Sequence, residues 1–179
     1  MKKIIITGGL GYIGSELCKI YSGYSWNDKV IVIDNRFISE RVNQLRKWNM
    51  EFIHGDILDK ELIKKYCHDA DIVHHLAGIT DVPRVKSEAS VEKEKKIKIV
   101  AEEGTQNILD VINDNCKIIM PSTHVVYEGI NEVRKDILEN EETCPVLAYG
   151  KSKDYNEKQL KNSGKKFIII RLGSVYGYS

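Results

Sequence analysis

A chain of 179 residues is long enough to bury one substantial core and too short for two average domains, so one domain spanning 1–179 is expected. Lys and Arg number 27 against 26 for Asp and Glu, a balance that gives no reason to expect a nucleic acid or an acidic membrane as partner and points to a small ligand. No apolar stretch approaches a membrane span, and an apolar run opening at Lys3 leaves no room for a leader, so a cytoplasmic protein is expected.

The first element is the run Lys3-Ile4-Ile5-Ile6-Thr7, ended by glycine after a few residues as in a strand buried on both faces. A helical pattern follows from Gly11 to Ser22. Gly8, Gly11 and Gly14 let the chain turn sharply, approach an anion with backbone N–H groups and pack the helix start on the sheet; Tyr12 and Ile13 share that turn. Glycine spacing alone fits a loop that merely needs positive φ about as well as it fits a pyrophosphate site. The context favours the second reading. A strand at 29–34 ends in Asp34, roughly 20 residues after the turn, where a carboxylate accepts from an adenosine ribose 2′-OH and repels a 2′-phosphate. NAD is favoured over NADP, with Asn35 beside the same ligand and Arg36 keeping NADP open.

Further strands are expected at 51–54, 71–76, 116–120 and 166–171, with helices at 38–47, 59–67, 91–114 and 147–162. Strict alternation means a Rossmann-type α/β fold: a doubly wound parallel sheet with helices on both faces and ligands at the carboxyl edge. After the third strand, Asp56 can accept from an adenine amino group while Ile57 covers the ring; an ordinary turn capped by Asp56 or Asp59 is an equal alternative. Leu76, Ala77 and Gly78 follow the fourth strand and allow a cofactor close to the backbone, or form a plain turn. The Lys- and Glu-rich stretch from Ser87 to Gly104 reads as the solvated face of a helix whose other face, with Val91, Ile97, Val100, Ile108 and Val111, packs on the sheet.

Cys18, Cys67, Cys116 and Cys144 form no C-x-x-C pair and read as structural thiols, and His74 and His75 point to opposite faces of a strand, so no metal is expected. Thr123 lies at the end of the fifth strand. Tyr149 and Lys153 open the next helix one turn apart on one face, where an ammonium and a positive nicotinamide both favour the phenolate. Tyr149 would then take a proton from a substrate hydroxyl held by Thr123. A surface tyrosine with a snorkelling lysine is the commoner meaning of this spacing elsewhere.

Together these residues resemble the extended short-chain dehydrogenase/reductases, the NAD-dependent epimerase/dehydratase group acting on nucleotide sugars. The resemblance rests on T-G-G-L-G-Y-I-G at Thr7 to Gly14, Asp34, Gly55-Asp56, H-L-A-G at His75 to Gly78, S-T-x-x-V-Y at Ser122 to Tyr127, Y-G-x-S-K-x-x-x-E at Tyr149 to Glu157, and R-L-G-S-V-Y-G at Arg171 to Gly177. It implies NAD as cofactor, Tyr149 as acid/base, Lys153 as its partner and ribose ligand, and Thr123 on the reacting oxygen. It implies substrate contacts at Thr80, Arg84 and Ser174, a nucleotide-sugar substrate, and a homodimer through the fourth and fifth helices, although the fifth is polar on most faces.

The departures carry information too. His124 and Val125 stand where dehydratases of this kind place Asp-Glu, which favours an epimerase or a reductase over a dehydratase or decarboxylase. Glu128 replaces a usual glycine, Ala101 an asparagine and Ser174 another asparagine. Relatives continue into a small C-terminal substrate domain that is absent from these residues, so the chain reads as the cofactor part of such an enzyme. The alternative from another class is a dinucleotide sensor or assembly protein on the same fold.

Overall fold

The computed structural model describes residues 1–24, 27–80, 90–132 and 134–177. Six parallel strands, β1 (Lys3–Thr7), β2 (Lys29–Asp34), β3 (Glu51–His54), β4 (Ile72–His75), β5 (Lys117–Thr123) and β6 (Lys166–Leu172), form one sheet in the order β3-β2-β1-β4-β5-β6. Helices α1 (Tyr12–Gly23) and α2 (Ser39–Lys47) cover one face; α3 (Lys60–Cys67), α4 (Val91–Val111) and α5 (Ala148–Asn162) cover the other.

The alternation of side chains along each strand divides the core between these layers. Ile4, Ile6, Val30 and Val32 pack with Cys18, Val42 and Leu45 under α1 and α2, while Ile5, Ile31, Ile33, Val73, Ile118 and Met120 pack with Ile63, Ile108 and Leu160 under α3 to α5. A fully buried isoleucine contributes about 1.5–3 kcal/mol of transfer free energy. The central strands β1 and β2 run as continuous apolar segments because both faces are covered. The cover is incomplete at β6: Ile168 and Ile170, paired with Ile119 and Pro121 on the face away from α3 to α5, are 42 and 45 % exposed.

The carboxyl ends of β5 and α4 depart most from the sequence expectation. Strand β5 runs on to Thr123 because it pairs with β6 as far as Leu172, and beyond Ile119 it no longer borders β4, so Pro121 is tolerated. Helix α4 stops at Val111 because the Asn113 side chain accepts from the backbone N–H groups of Asn115 and Cys116, closing a turn ahead of β5. Cys116 therefore precedes its strand by one residue. Cys18, Cys67 and Cys116 are buried thiols, and burial pushes them up to about 12, 12 and 11. Cys144 corrects the expectation of a structural thiol, since its loop leaves it exposed. Val91 likewise stands 85 % exposed at the start of α4 instead of packing on the sheet.

The tight turn at the end of β1 sets the spacing of the layers. A methyl at Gly14 would lie 2.5 Å from the Gly8 carbonyl oxygen and 2.6 Å from the Gly9 Cα, whereas one at Gly23 meets nothing within 4 Å. Gly14→Ala is expected to lower stability by about 1–3 kcal/mol in urea unfolding, and Gly23→Ala, at the end of α1, to raise it by up to about 1 kcal/mol. Equal effects at the two positions would contradict this packing.

Candidate active site

The strand order reverses between β1 and β4, and the segments leaving their carboxyl ends diverge to open a cleft of about 1270 Å³. Its walls include Gly8, Gly11, Tyr12, Ile13 and Gly14 from the first turn, Asp34 and Asn35 after β2, and Asp56 and Ile57 after β3. Leu76, Ala77, Gly78 and Thr80 after β4, Thr123 at the end of β5, and Tyr149 and Lys153 on α5 complete them. Ser174 is not in the lining; the exposed segment after β6 turns Gly173 and Val175 to the cleft instead. Arg84 lies outside the described residues.

At the floor, Gly8 takes φ +70° and lies against the backbone after β4. Helix α1 begins at this turn with Gly11 as N-cap, no side-chain cap and no acidic residue in its first turn, so the N–H groups of that turn are left for a ligand. The Asp34 carboxylate is 4 % exposed and accepts from the backbone N–H groups of Leu10 (2.9 Å) and Arg36 (3.0 Å) and from the Arg36 guanidinium (3.2 and 3.3 Å). Asn35 and Asp56 meet each other: Asn35 Nδ2 donates to Asp56 Oδ2 at 2.9 Å, while Asp56 Oδ1 accepts from Leu58 N–H. The helix cap is Asp59, which accepts from Leu62 N–H. Ile57 is wedged where a methyl at Gly104 would come within 2.3 Å of it, and its carbonyl accepts from the buried Asn107 amide at 3.0 Å.

Thr123 ends β5 with its Oγ1 accepting from Val125 N–H at 3.2 Å, which starts a 3₁₀ turn over His124–Tyr127. Lys153 Nζ is buried and donates to the Pro121 carbonyl at 3.1 Å; burial lowers its pKa to about 8. Burial also raises the Tyr149 phenol above its ordinary value. The sign is opposite to the expected one, because the Lys153 ammonium is directed to the Pro121 carbonyl and desolvation governs the phenol.

Sequence reasoning missed a buried polar chain beneath this cleft. His75 Nδ1 pairs with Thr7 Oγ1 at 2.9 Å, which also accepts from Ala77 N–H, and His75 Nε2 pairs with Thr105 Oγ1 at 3.0 Å. Asn156 on α5 donates to Thr105 Oγ1 at 3.0 Å and to the Ala101 carbonyl of α4 at 2.9 Å. Burial first, and the nearby Lys153 charge second, lower His75 to about 3. His74 points to the opposite face and pairs with Tyr21, where burial lowers it to about 4.

Glu157 is a second anchor. It receives Ser122 Oγ at 2.6 Å and a two-pronged Arg171 guanidinium at 2.9 and 2.6 Å. Burial pushes its carboxyl up, but the hydrogen bonds from Arg171 and Ser122 bring it below the ordinary range. The one signal available was that Lys153, Asn156, Glu157 and Leu160 share a helix face, a polar group at core positions. Glu92, Lys95 and Lys96 also line the cleft, correcting the reading of that stretch as purely solvated.

Residues 4–179 match the family model described as the NAD dependent epimerase/dehydratase family. The chain belongs to that family. It is 33% identical over 205 residues to CDP-paratose 2-epimerase of Salmonella typhi, across 98% of this chain and 58% of that protein. It is 30% identical over 198 residues to dTDP-D-glucose 4,6-dehydratase of Dictyostelium discoideum, across 99% and 44%. Among solved structures it resembles UDP-glucose 4-epimerase of Thermotoga maritima with UDP-glucose (TM-score 0.79, 26% identity, 98% of this chain and 56% of that one). UDP-glucuronic acid 4-epimerase of Bacillus cereus in complex with NAD is similar at a TM-score of 0.78 and 26% identity, over 98% and 57%. The chain spans about half the length of the epimerase/dehydratase relatives it matches. Among the described residues no helix is long and apolar enough to cross a membrane, and no group of three His, Cys, Asp or Glu side chains could hold a metal ion.

The buried His75 makes a pH prediction for this epimerase/dehydratase-family chain. Its folded pKa of about 3 lies below the ordinary value near 6.5, so between these limits the unfolded chain binds the extra proton. Its contribution is whole above about pH 6.5 and is lost as pH falls. His75→Gln should remove up to one proton, or about 1.4 kcal/mol per pH unit, from the slope of unfolding free energy between roughly pH 4 and 6. An unchanged slope would contradict a neutral, buried His75.

Proposed function

We propose that this chain is the NAD-binding part of a nucleotide-sugar epimerase in which Tyr149 moves the proton at the reacting sugar carbon. The observation that carries this reading is that Thr123, Tyr149 and Lys153 line one cleft with the glycine turn and Asp34. The residues fit a dinucleotide: the floor at Gly8 and Gly14 has no room for a side chain, the α1 terminus favours a diphosphate, and Asp34 suits a ribose diol. Bound NAD supplies the acceptor that takes hydride from a sugar carbon and returns it.

This chain's own groups handle the proton. The Tyr149 phenol accepts the hydroxyl proton as the carbon is oxidised and gives it back when the keto group is reduced. The Thr123 hydroxyl holds the same oxygen. In the loaded site the Lys153 ammonium, cationic below about pH 8, turns from the Pro121 carbonyl to a cofactor ribose and there offsets the burial that raises the phenol. Arg36, whose side chain is 54 % exposed, leaves Asp34 when a ribose diol takes those lone pairs. Epimerisation is favoured over dehydration because His124 and Val125 are outside the cleft: His124 is tied to the Leu172 carbonyl, and Val125 has no proton to exchange. The exposed apolar strip of β6 and the partial coverage of the relatives support assigning residues 1–179 to the cofactor-binding part.

Incubation with NAD and a panel of UDP-, GDP- and dTDP-sugars, followed by chromatography, is expected to give a product inverted at one carbon. Tyr149→Phe should lower that turnover by about 10²–10⁴-fold with NAD affinity unchanged. NAD binding without any change in the sugars would leave either the cofactor part of a longer enzyme or a dinucleotide sensor, which turnover after reassembly with any downstream sequence would separate, and a Tyr149→Phe protein that keeps most of its turnover would remove Tyr149 as the base.

A further inference from the structure

Helix α5 carries Tyr149 in its first turn, yet its N-cap residue is Leu147, which has no side chain able to cap. The residue that would complete a capping box, three positions after the N-cap, is Gly150. A carboxylate is nevertheless there. Glu128, from the end of the 3₁₀ turn after β5, accepts from the backbone N–H groups of Val146 at 2.6 Å and of Leu147 at 2.5 Å through its Oε1. The same oxygen lies 3.1 Å from the position a Gly150 Cβ would take, so it stands where a glutamate at the third helical position would reach back.

Two backbone hydrogen bonds join the same segments: Gly129 N–H donates to the Cys144 carbonyl, and Cys144 N–H to the Val126 carbonyl, each at 2.8 Å. The strand end bearing Thr123 and the helix start bearing Tyr149 are thus clamped across one short interface, and Glu128 is its charged member. We propose that Glu128 is a positioning residue for Tyr149, its carboxylate capping α5 from outside the helix and fixing the phenol relative to Thr123. The functional meaning of that position rests on Tyr149 being the acid/base. The cap itself does not, and the test reads the two separately.

The test is NMR on the native chain, E128Q and E128A. In the native chain the Val146 and Leu147 amides are expected to shift together with pH along one curve. In E128Q that curve disappears, while the amide oxygen keeps the cap and the raised Tyr149 phenol titration, followed at its Cζ, stays in place. In E128A the phenol midpoint falls toward the ordinary value of about 10, and amide exchange in the first turn of α5 quickens about fivefold. Amides that ignore pH in the native chain, or that titrate equally in E128Q, overturn the cap. A phenol midpoint unchanged in E128A overturns the positioning role. Should E128A not fold, the E128Q comparison decides the cap, and a phenol midpoint displaced in E128Q counts against positioning by geometry. Turnover of Tyr149→Phe tests the acid/base reading independently of all three.

Discussion

At Gly8 the chain passes so close to the segment after β4 that a methyl there would lie 2.6 Å from the Ala77 nitrogen and 2.7 Å from its Cα. That approach joins the two strands between which the sheet order reverses. It sets where α1 begins and therefore where its N-terminal N–H groups point. With the floor fixed, Asp34 needs only the register of β2 on β1, Thr7 with Ile33, to stand at the same cleft. This half of the cleft is a consequence of strand order and one turn without side chains.

The other half is held by buried polar groups. Lys153 is tied to Pro121, Asn156 to Thr105 and Ala101, and Glu157 to Ser122 and Arg171, so successive turns of α5 are pinned to β5, α4 and β6. Each of these groups is costly to desolvate unless it is satisfied, and among the described residues no buried side-chain polar atom lacks a partner. An apolar α5 could slide or rotate with little penalty. The hydrogen bonds of this one close in the arrangement that turns Tyr149 to the cleft that Thr123 also lines.

Periodicity made the strands, helices and sheet edge legible, because alternation and amphipathic spacing report which face of an element is buried. The places of the glycine turn and Asp34 at the sheet edge were legible for the same reason: each follows directly from the end of its own strand. What sequence did not show is partnership across the fold. His75 with Thr105, Asn107 with Ile57, and Glu128 with the start of α5 are separated by 30, 50 and up to 19 residues, and nothing in composition pairs them. The direction of the Lys153 ammonium was missed because helical spacing places it near Tyr149 but cannot see the Pro121 carbonyl left free where β5 outruns β4. Lys95 and Lys96 were assigned to solvent because a charge run carries no information about the cleft beside it.

On the proposed function, this cleft takes a dinucleotide with an unphosphorylated adenosine ribose. Calorimetric titration of the purified chain with NAD and with NADP addresses it most directly, since it needs no substrate and no turnover. Saturable binding of NAD, with NADP at least about tenfold weaker and the gap narrowed in Asp34→Ala, is the predicted result. NADP binding as tightly as NAD, or no binding of either, would contradict it.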